Sequence, residues 1–333
     1  MHYPDPILSA NVYASGNLDG VLQYALRPFL GMAQERHPDR EGYLWTMRYG
    51  CGGEHLKIRL HGPAEEGEAL RETLGEAIER SLADLGPAPE PENRAPTPPI
   101  DVEDSQGPHD DRSWLWTTYQ RDPISLGNNP FLSNDGYVAR LTRCLGAACE
   151  VAVEALDSEA DSATLQIARH NTLTQLVLEG LAALGFNDAQ RQDYLYFHRD
   201  WLIRFPLLKS NGTLDRAREM THHFDSIREQ MPAEMETLGE LARTEWQTSN
   251  TDADAWRRSL ADFWSYTASL CEEPEYHLDP FASMPIFTPV FKVFHATANQ
   301  LGLSSLEEAL VHHLLAAATA PESVRLEVLF EPA

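Results

Sequence analysis

The sequence predicts an α+β protein, with a small β-sheet and a hairpin in the N-terminal third and a mostly helical C-terminal two thirds. Three observations carry this. Short runs of alternating apolar and polar residues gather before residue 62, two of them flank the glycine cluster Gly50-Cys51-Gly52-Gly53, and beyond residue 130 apolar residues recur at helical spacing.

Taken in order, Ile7 to Tyr13 reads as a strand, and Leu18 to Gln34 as a helix with Asn17 as its N-cap. Tyr43 to Tyr49 and Glu54 to His61 form the hairpin, since glycines allow the positive backbone angles of a tight turn. Glu65 to Leu85 is an amphipathic helix. Residues 86–112 turn to proline and acid, a composition that buries too little apolar surface to offset ordering, and are expected as a mobile loop. Ser113 to Arg121 is another strand. Helices follow over 135–155, 160–184, 189–203, 214–229, 233–248, 254–271, 288–301 and 306–319, the last opened by the capping-box pattern Ser304-x-x-Glu307, and Val324 to Leu329 closes as a strand.

The 333 residues carry a formal charge of −25, which repels phosphate backbones, so nucleic acid is excluded as a partner. No apolar run nears the roughly 20 residues of a membrane span, and the N-terminus lacks a signal-peptide pattern, so a cytoplasmic protein without membrane association is expected. Cys51, Cys144, Cys149 and Cys271 form no Cys-x-x-Cys pair and read as reduced thiols. Dinucleotide, P-loop, zincin and nucleophile-elbow patterns are absent, and His222-His223 and His312-His313 are adjacent rather than four apart, so no cofactor and no metal is expected.

In an acidic chain the few gathered cations stand out. Alternation along Glu54 to His61 puts His55, Lys57, Arg59 and His61 on one face, with Leu56, Ile58 and Leu60 on the other, buried face. Arg48 on the preceding strand joins the cationic face if the register allows. Such a row is neutralised either by the protein's own carboxylates or by a ligand carboxylate, amide oxygen or oxyanion. Tyr119 and Arg121 lie at the end of the strand after the acidic loop. Tyr194 and His198 share a helix, as do His295 and Asn299, four apart. His312 and His313 point about 100° apart, so only one serves a given site: one is a core histidine and the other a proton carrier.

The run from Tyr43 to Leu60, with an aromatic strand ending in Arg48-Tyr49, a glycine turn and His55-Leu56-Lys57-Ile58-Arg59, resembles the lantibiotic dehydratase C-terminal, or thiopeptide-type bacteriocin biosynthesis, domain. The resemblance implies residues 1–333 as a single elimination-domain-like unit, mainly helical over 113–333. It implies a ribosomally made precursor peptide as partner, both leader and dehydrated core, and leaves association with other biosynthetic enzymes open. One branch of the family eliminates glutamate from glutamylated Ser or Thr. Another, the stand-alone pyridine synthases, joins two dehydroalanines by a formal [4+2] cycloaddition. The eliminating branch's Arg-Tyr-Gly-Gly and late Asn-Arg have no counterparts at Tyr119 to Gly127 and Val311 to Ala317, and Lys57 replaces an Arg. These losses favour the synthase. Arg59 and His312 carry over from the resemblance, which implies Arg59 and Lys57 as polarising groups and Tyr119, His312 or His295 as proton carriers; the residue pattern adds His55 to the catalytic set and Arg48, Arg121, Tyr194, His198 and Asn299 as substrate-binding. A non-catalytic leader-binding protein is the remaining alternative, with Arg140 and Arg143 as a basic patch for an acidic leader.

Overall fold

A computed structural model describes residues 6–36, 43–49, 54–86, 110–117, 130–156, 162–209, 214–248, 255–271 and 287–320. The described chain gathers into two compact units, one formed by residues 1–173 with 251–304 and the other by 174–250 with 305–333. The first holds a four-stranded antiparallel sheet and the second is helical, the α+β architecture expected.

In the first unit, β1 (Pro6–Tyr13), β2 (Leu44–Tyr49), β3 (His55–His61) and β4 (Ser113–Trp116) lie in the order β2-β3-β1-β4. The basic strand β3 is therefore interior. The glycine turn at 50–53 lies outside the described residues, as do most of the acidic loop, Tyr119, Arg121 and the expected closing strand. The first helix begins with α1 (Leu18–Val21), passes through a π-helical turn at Leu22–Leu26 and continues as α2 (Arg27–Arg36). Asn17 does not cap it. Its side chain donates instead to the Gly86 carbonyl at 3.2 Å.

Next come α3 (Gly67–Asp84), α4 (Asp135–Glu154) and α5 (Ser162–Ala183), the last running from one unit into the other. In α4 the Asn134 side chain does cap, accepting from the Tyr137 N–H, which satisfies an otherwise orphaned donor. The hydrophobic stripe of α4, including Val138, Leu141, Cys144, Leu145 and Cys149, packs on β2 and on α9 (Ala255–Cys271) and α10 (Phe287–Leu301). Burial pushes the Cys149 thiol up to about 12, and Cys144 beyond, so both are inert apolar fillers.

The second unit contains α6 (Asp188–Lys209), α7 (Leu214–Glu229), α8 (Pro232–Thr248) and α11 (Ser305–Thr319). Here α11 is central, packing against α6, α7 and α8. No described helix is long and apolar enough to cross a membrane.

Candidate functional site

The register resolves the two faces of the sheet. Leu56, Ile58 and Leu60 lie between Arg48, Thr46 and Leu44 on β2 and Val12, Ala10 and Leu8 on β1. The helices cover this side: Thr46 Oγ1 lies 3.6 Å from Cys149 Sγ of α4, and Gly75 of α3 faces Trp114 of β4. Alternation then sends His55, Lys57, Arg59 and His61 to the opposite side, as expected.

Sequence alternation led us to expect one buried face and one cationic face. The structure departs from this, because the cationic face is also shielded: His55 is 1% exposed, Arg59 7% and His61 4%, while Lys57 alone of the row is half-buried. Its residues form three rungs across the strands. In the first, His55 stands between the rings of Tyr13 and Tyr49, with centroids 4.8 and 5.7 Å away. The second pairs Lys57 with Asn11, flanked by Met47 and Leu115, and places Lys57 Nζ 4.0 Å over the Tyr49 ring. In the third, Arg59 lies between Trp45 and Ser9, donates to the carbonyls of Ile58 and Ala10 at 3.0 and 3.4 Å, and Ser9 bonds Thr117 through their hydroxyls at 3.0 Å. Trp45 Nε1–H donates to His61 Nε2 at 3.0 Å, which makes that nitrogen an acceptor.

Arg48 pairs with Leu56 and so lies on the helix-covered face, away from Lys57. Its guanidinium donates to Asp19 at 2.6 Å and to the Gln300 carbonyl at 3.2 Å; Arg169 binds the other oxygen of the same carboxylate. Burial pushes the Asp19 carboxyl up, but the two guanidiniums outweigh it and hold the group below the usual carboxylate range. Asn299 accepts from the Arg48 backbone N–H at 2.7 Å and donates to its carbonyl at 3.1 Å. His295, one turn earlier, stacks on Phe291 at 5.5 Å. Arg140 is engaged by Asp262 at 3.2 Å and by the Tyr266 ring.

In the second unit, two pairs spaced four residues apart meet. Tyr194 and His198 of α6 bond through the phenol and Nδ1 at 2.8 Å, and His198 Nε2 reaches Glu308 Oε1 of α11 at 2.5 Å. His312 Nδ1–H donates to the Glu308 carbonyl at 2.9 Å, and its ring stacks on His198 at 3.7 Å with the planes 7° apart. All four residues are at most 1% exposed. Burial and then the Glu308 charge raise the Tyr194 phenol well above its ordinary value, so it stays a hydrogen-bond donor and leaves Nδ1 of His198 the acceptor. His313 points elsewhere, as its helical position requires: Arg199 donates to its Nδ1 at 3.3 Å and its Nε2 lies 3.2 Å from Asp225. Burial first, then Arg199, lower His313 to about 4, so it is neutral near pH 7.

The structure thus brings His55, Lys57 and Arg59 onto one shielded face, and Tyr194, His198 and His312 into one cluster. It sets Arg48 and Asn299 to holding the other face and edge of the sheet. Asn11, Asp19, Arg169 and Glu308 were missed by sequence reasoning; the Glu308/His312 and Tyr194/His198 spacing was the available signal for one of them. Among the described residues no group of three or more His, Cys, Asp or Glu is placed to hold a metal ion.

The fold is that of the thiomuracin pyridine synthase TbtD, with a TM-score of 0.64 and 17% identity over 94% of this chain and 97% of that one. The tRNA-dependent lantibiotic dehydratase MibB from Microbispora sp. 107891 is similar over 93% of this chain and 27% of its own, at 15% identity and a TM-score of 0.49. TsrL is similar over 93% of both chains, at 13% identity and 0.49. No curated protein matches by sequence. A model of the C-terminal part of the lantibiotic biosynthesis dehydratases matches residues 8–319, and the chain belongs to that family.

Proposed function

We propose that the protein forms the central six-membered nitrogen heterocycle of a thiopeptide, by formal [4+2] cycloaddition of two dehydroalanines in a precursor peptide. The observation that carries this reading is the shared fold with a pyridine synthase along nearly the whole of both chains. The Lys57 substitution supports it further. Glutamate elimination needs several cations aimed at a leaving carboxylate.

In this reaction an amide tautomerises so that its carbon and nitrogen complete a four-atom diene, two carbon–carbon bonds close the ring, water leaves, and departure of the leader as a carboxamide makes the ring aromatic. The sequence of steps is redox-neutral and calls for no cofactor. Holding both alkenes of one flexible peptide in register supplies up to roughly 7–11 kcal/mol from positioning. Lys57 polarises an amide oxygen, with His55 beside it, and Tyr119 and His295 are the candidates for moving protons.

The test is to incubate the purified chain with two peptides and weigh the products. A leader-bearing peptide with two dehydroalanines is expected to yield a macrocycle and a leader amide. The family's dehydratase description supports a second reading, glutamate elimination. A glutamylated peptide losing glutamate while the first peptide stays intact overturns the synthase reading in its favour, and leader binding without either product leaves only a non-catalytic partner.

A further inference from the structure

The three rungs of the cationic face differ in how their polar groups are satisfied. In the third, Ser9 on β1 is bonded to Thr117. In the first, His55 is enclosed by two tyrosine rings. In the middle rung Asn11 is 7% exposed, and its side-chain carbonyl Oδ1 is buried with no hydrogen-bond partner among the described residues. Leaving such an acceptor unmatched costs about 1–3 kcal/mol, and protein interiors rarely tolerate it without a reason.

Directly across the strands stands Lys57, less buried than His55 or Arg59. Opposed residues of an antiparallel pair carry their side chains on the same face, with Cβ atoms about 4.5–5.5 Å apart. A buried acceptor and a cationic donor are therefore held side by side, with Met47 and Leu115 on their outer flanks. A secondary amide presents the complementary pair, one N–H and one C=O, over a similar span.

We propose that Asn11 and Lys57 together read one backbone amide of the substrate peptide, Asn11 Oδ1 accepting its N–H and Lys57 donating to its carbonyl oxygen. This makes Asn11 a binding residue whose unmet acceptor is matched only when a peptide is present. The inference rests on the reading above that a modified peptide is the substrate, and it deepens that reading by naming the atoms that hold the peptide main chain.

Asn11→Leu, close in size and without polar atoms, separates this role from a structural one. Removing an unmatched buried acceptor leaves the thermal midpoint of the full chain unchanged or raises it, whereas binding of the leader-bearing, bis-dehydroalanine peptide weakens by about tenfold. Titrated directly, that loss stands even if neither peptide assay yields product, so failure of the synthase reading is distinguishable from failure of this one. An ester in place of the recognised amide removes the N–H. Scanning esters through the core peptide should find one position where the wild type loses affinity and Asn11→Leu loses no more. Asn11→Ala provides the same comparison should the leucine fail to fold. A lowered midpoint with unchanged peptide affinity, in whichever variant folds, overturns the proposal.

Discussion

The cationic face of the sheet and the imidazole cluster of the helical unit both bury charge-bearing groups, and they do so in opposite ways. In the helices, Tyr194, His198, Glu308 and His312 are linked to one another, with each donor facing an acceptor at 2.5 to 2.9 Å. On the sheet, strand alternation fixes the side chains in a row, so neighbours in the row are separated by rings and main chain, and in the middle rung an acceptor is left over. Linked side chains hold one another's geometry. The row holds an unmet acceptor beside half-buried Lys57, which is where we place the substrate amide.

The contrast is open to breakage. The largest effect is expected from Glu308→Ala, which leaves the His198 Nε2–H unmatched and opens a cavity inside a fully buried cluster, and should cost about 3–5 kcal/mol in urea unfolding. Glu308→Gln, which can still accept from Nε2–H, should cost clearly less; equal losses would mean that the carboxylate charge, and not the hydrogen bond or the packing, carries the effect. Lys57→Met should leave unfolding almost unchanged yet lower turnover of the bis-dehydroalanine peptide by about 10²-fold. A stability loss comparable to that of Glu308→Ala would erase the distinction between the two regions.

His313 provides a pH-dependent test within the helical unit. The folded state keeps it neutral down to about pH 4, whereas the unfolded chain protonates it near pH 6.5. Protons therefore favour unfolding: stability is full above about pH 6.5 and declines toward pH 4, by on the order of 2–3 kcal/mol from this group. His313→Gln should flatten that part of the stability–pH curve, and an unchanged slope would remove the assignment. The smallest effect is expected at Gly302, whose backbone sits at φ +81° with the Arg48 guanidinium 2.9 Å from where a Cβ would be. Gly302→Ala should lower stability by about 1–2 kcal/mol, measurable by thermal melts, through strain at the β2 edge rather than through either polar cluster.

How much of this was legible in the sequence follows from the range of the interaction concerned. Period-two alternation is local, so the opposition of Lys57 and Arg59 to Leu56 and Ile58 could be read directly, as could nearly all helices. The side taken by Arg48 depends on the register set by the turn at 50–53, and one residue's difference there reverses every side chain. The burial of the cationic face was not visible, because alternation reports which residues share a face and nothing about what covers it. Glu308 and His198 are 110 residues apart, and Asp19 and Arg169 are 150 apart. Each pair is a product of packing, and only the four-residue spacings within α6 and α11 hinted at the first.

The amide of Asn299 has a consequence beyond the site. β2 lies at the border of the sheet, and the Arg48 N–H and C=O that Asn299 holds are the outward-facing groups through which a foreign strand would add. By docking a side-chain amide there, α10 ends the ladder with a mimic of one further peptide unit. This border of the sheet is thereby protected against adding a foreign strand.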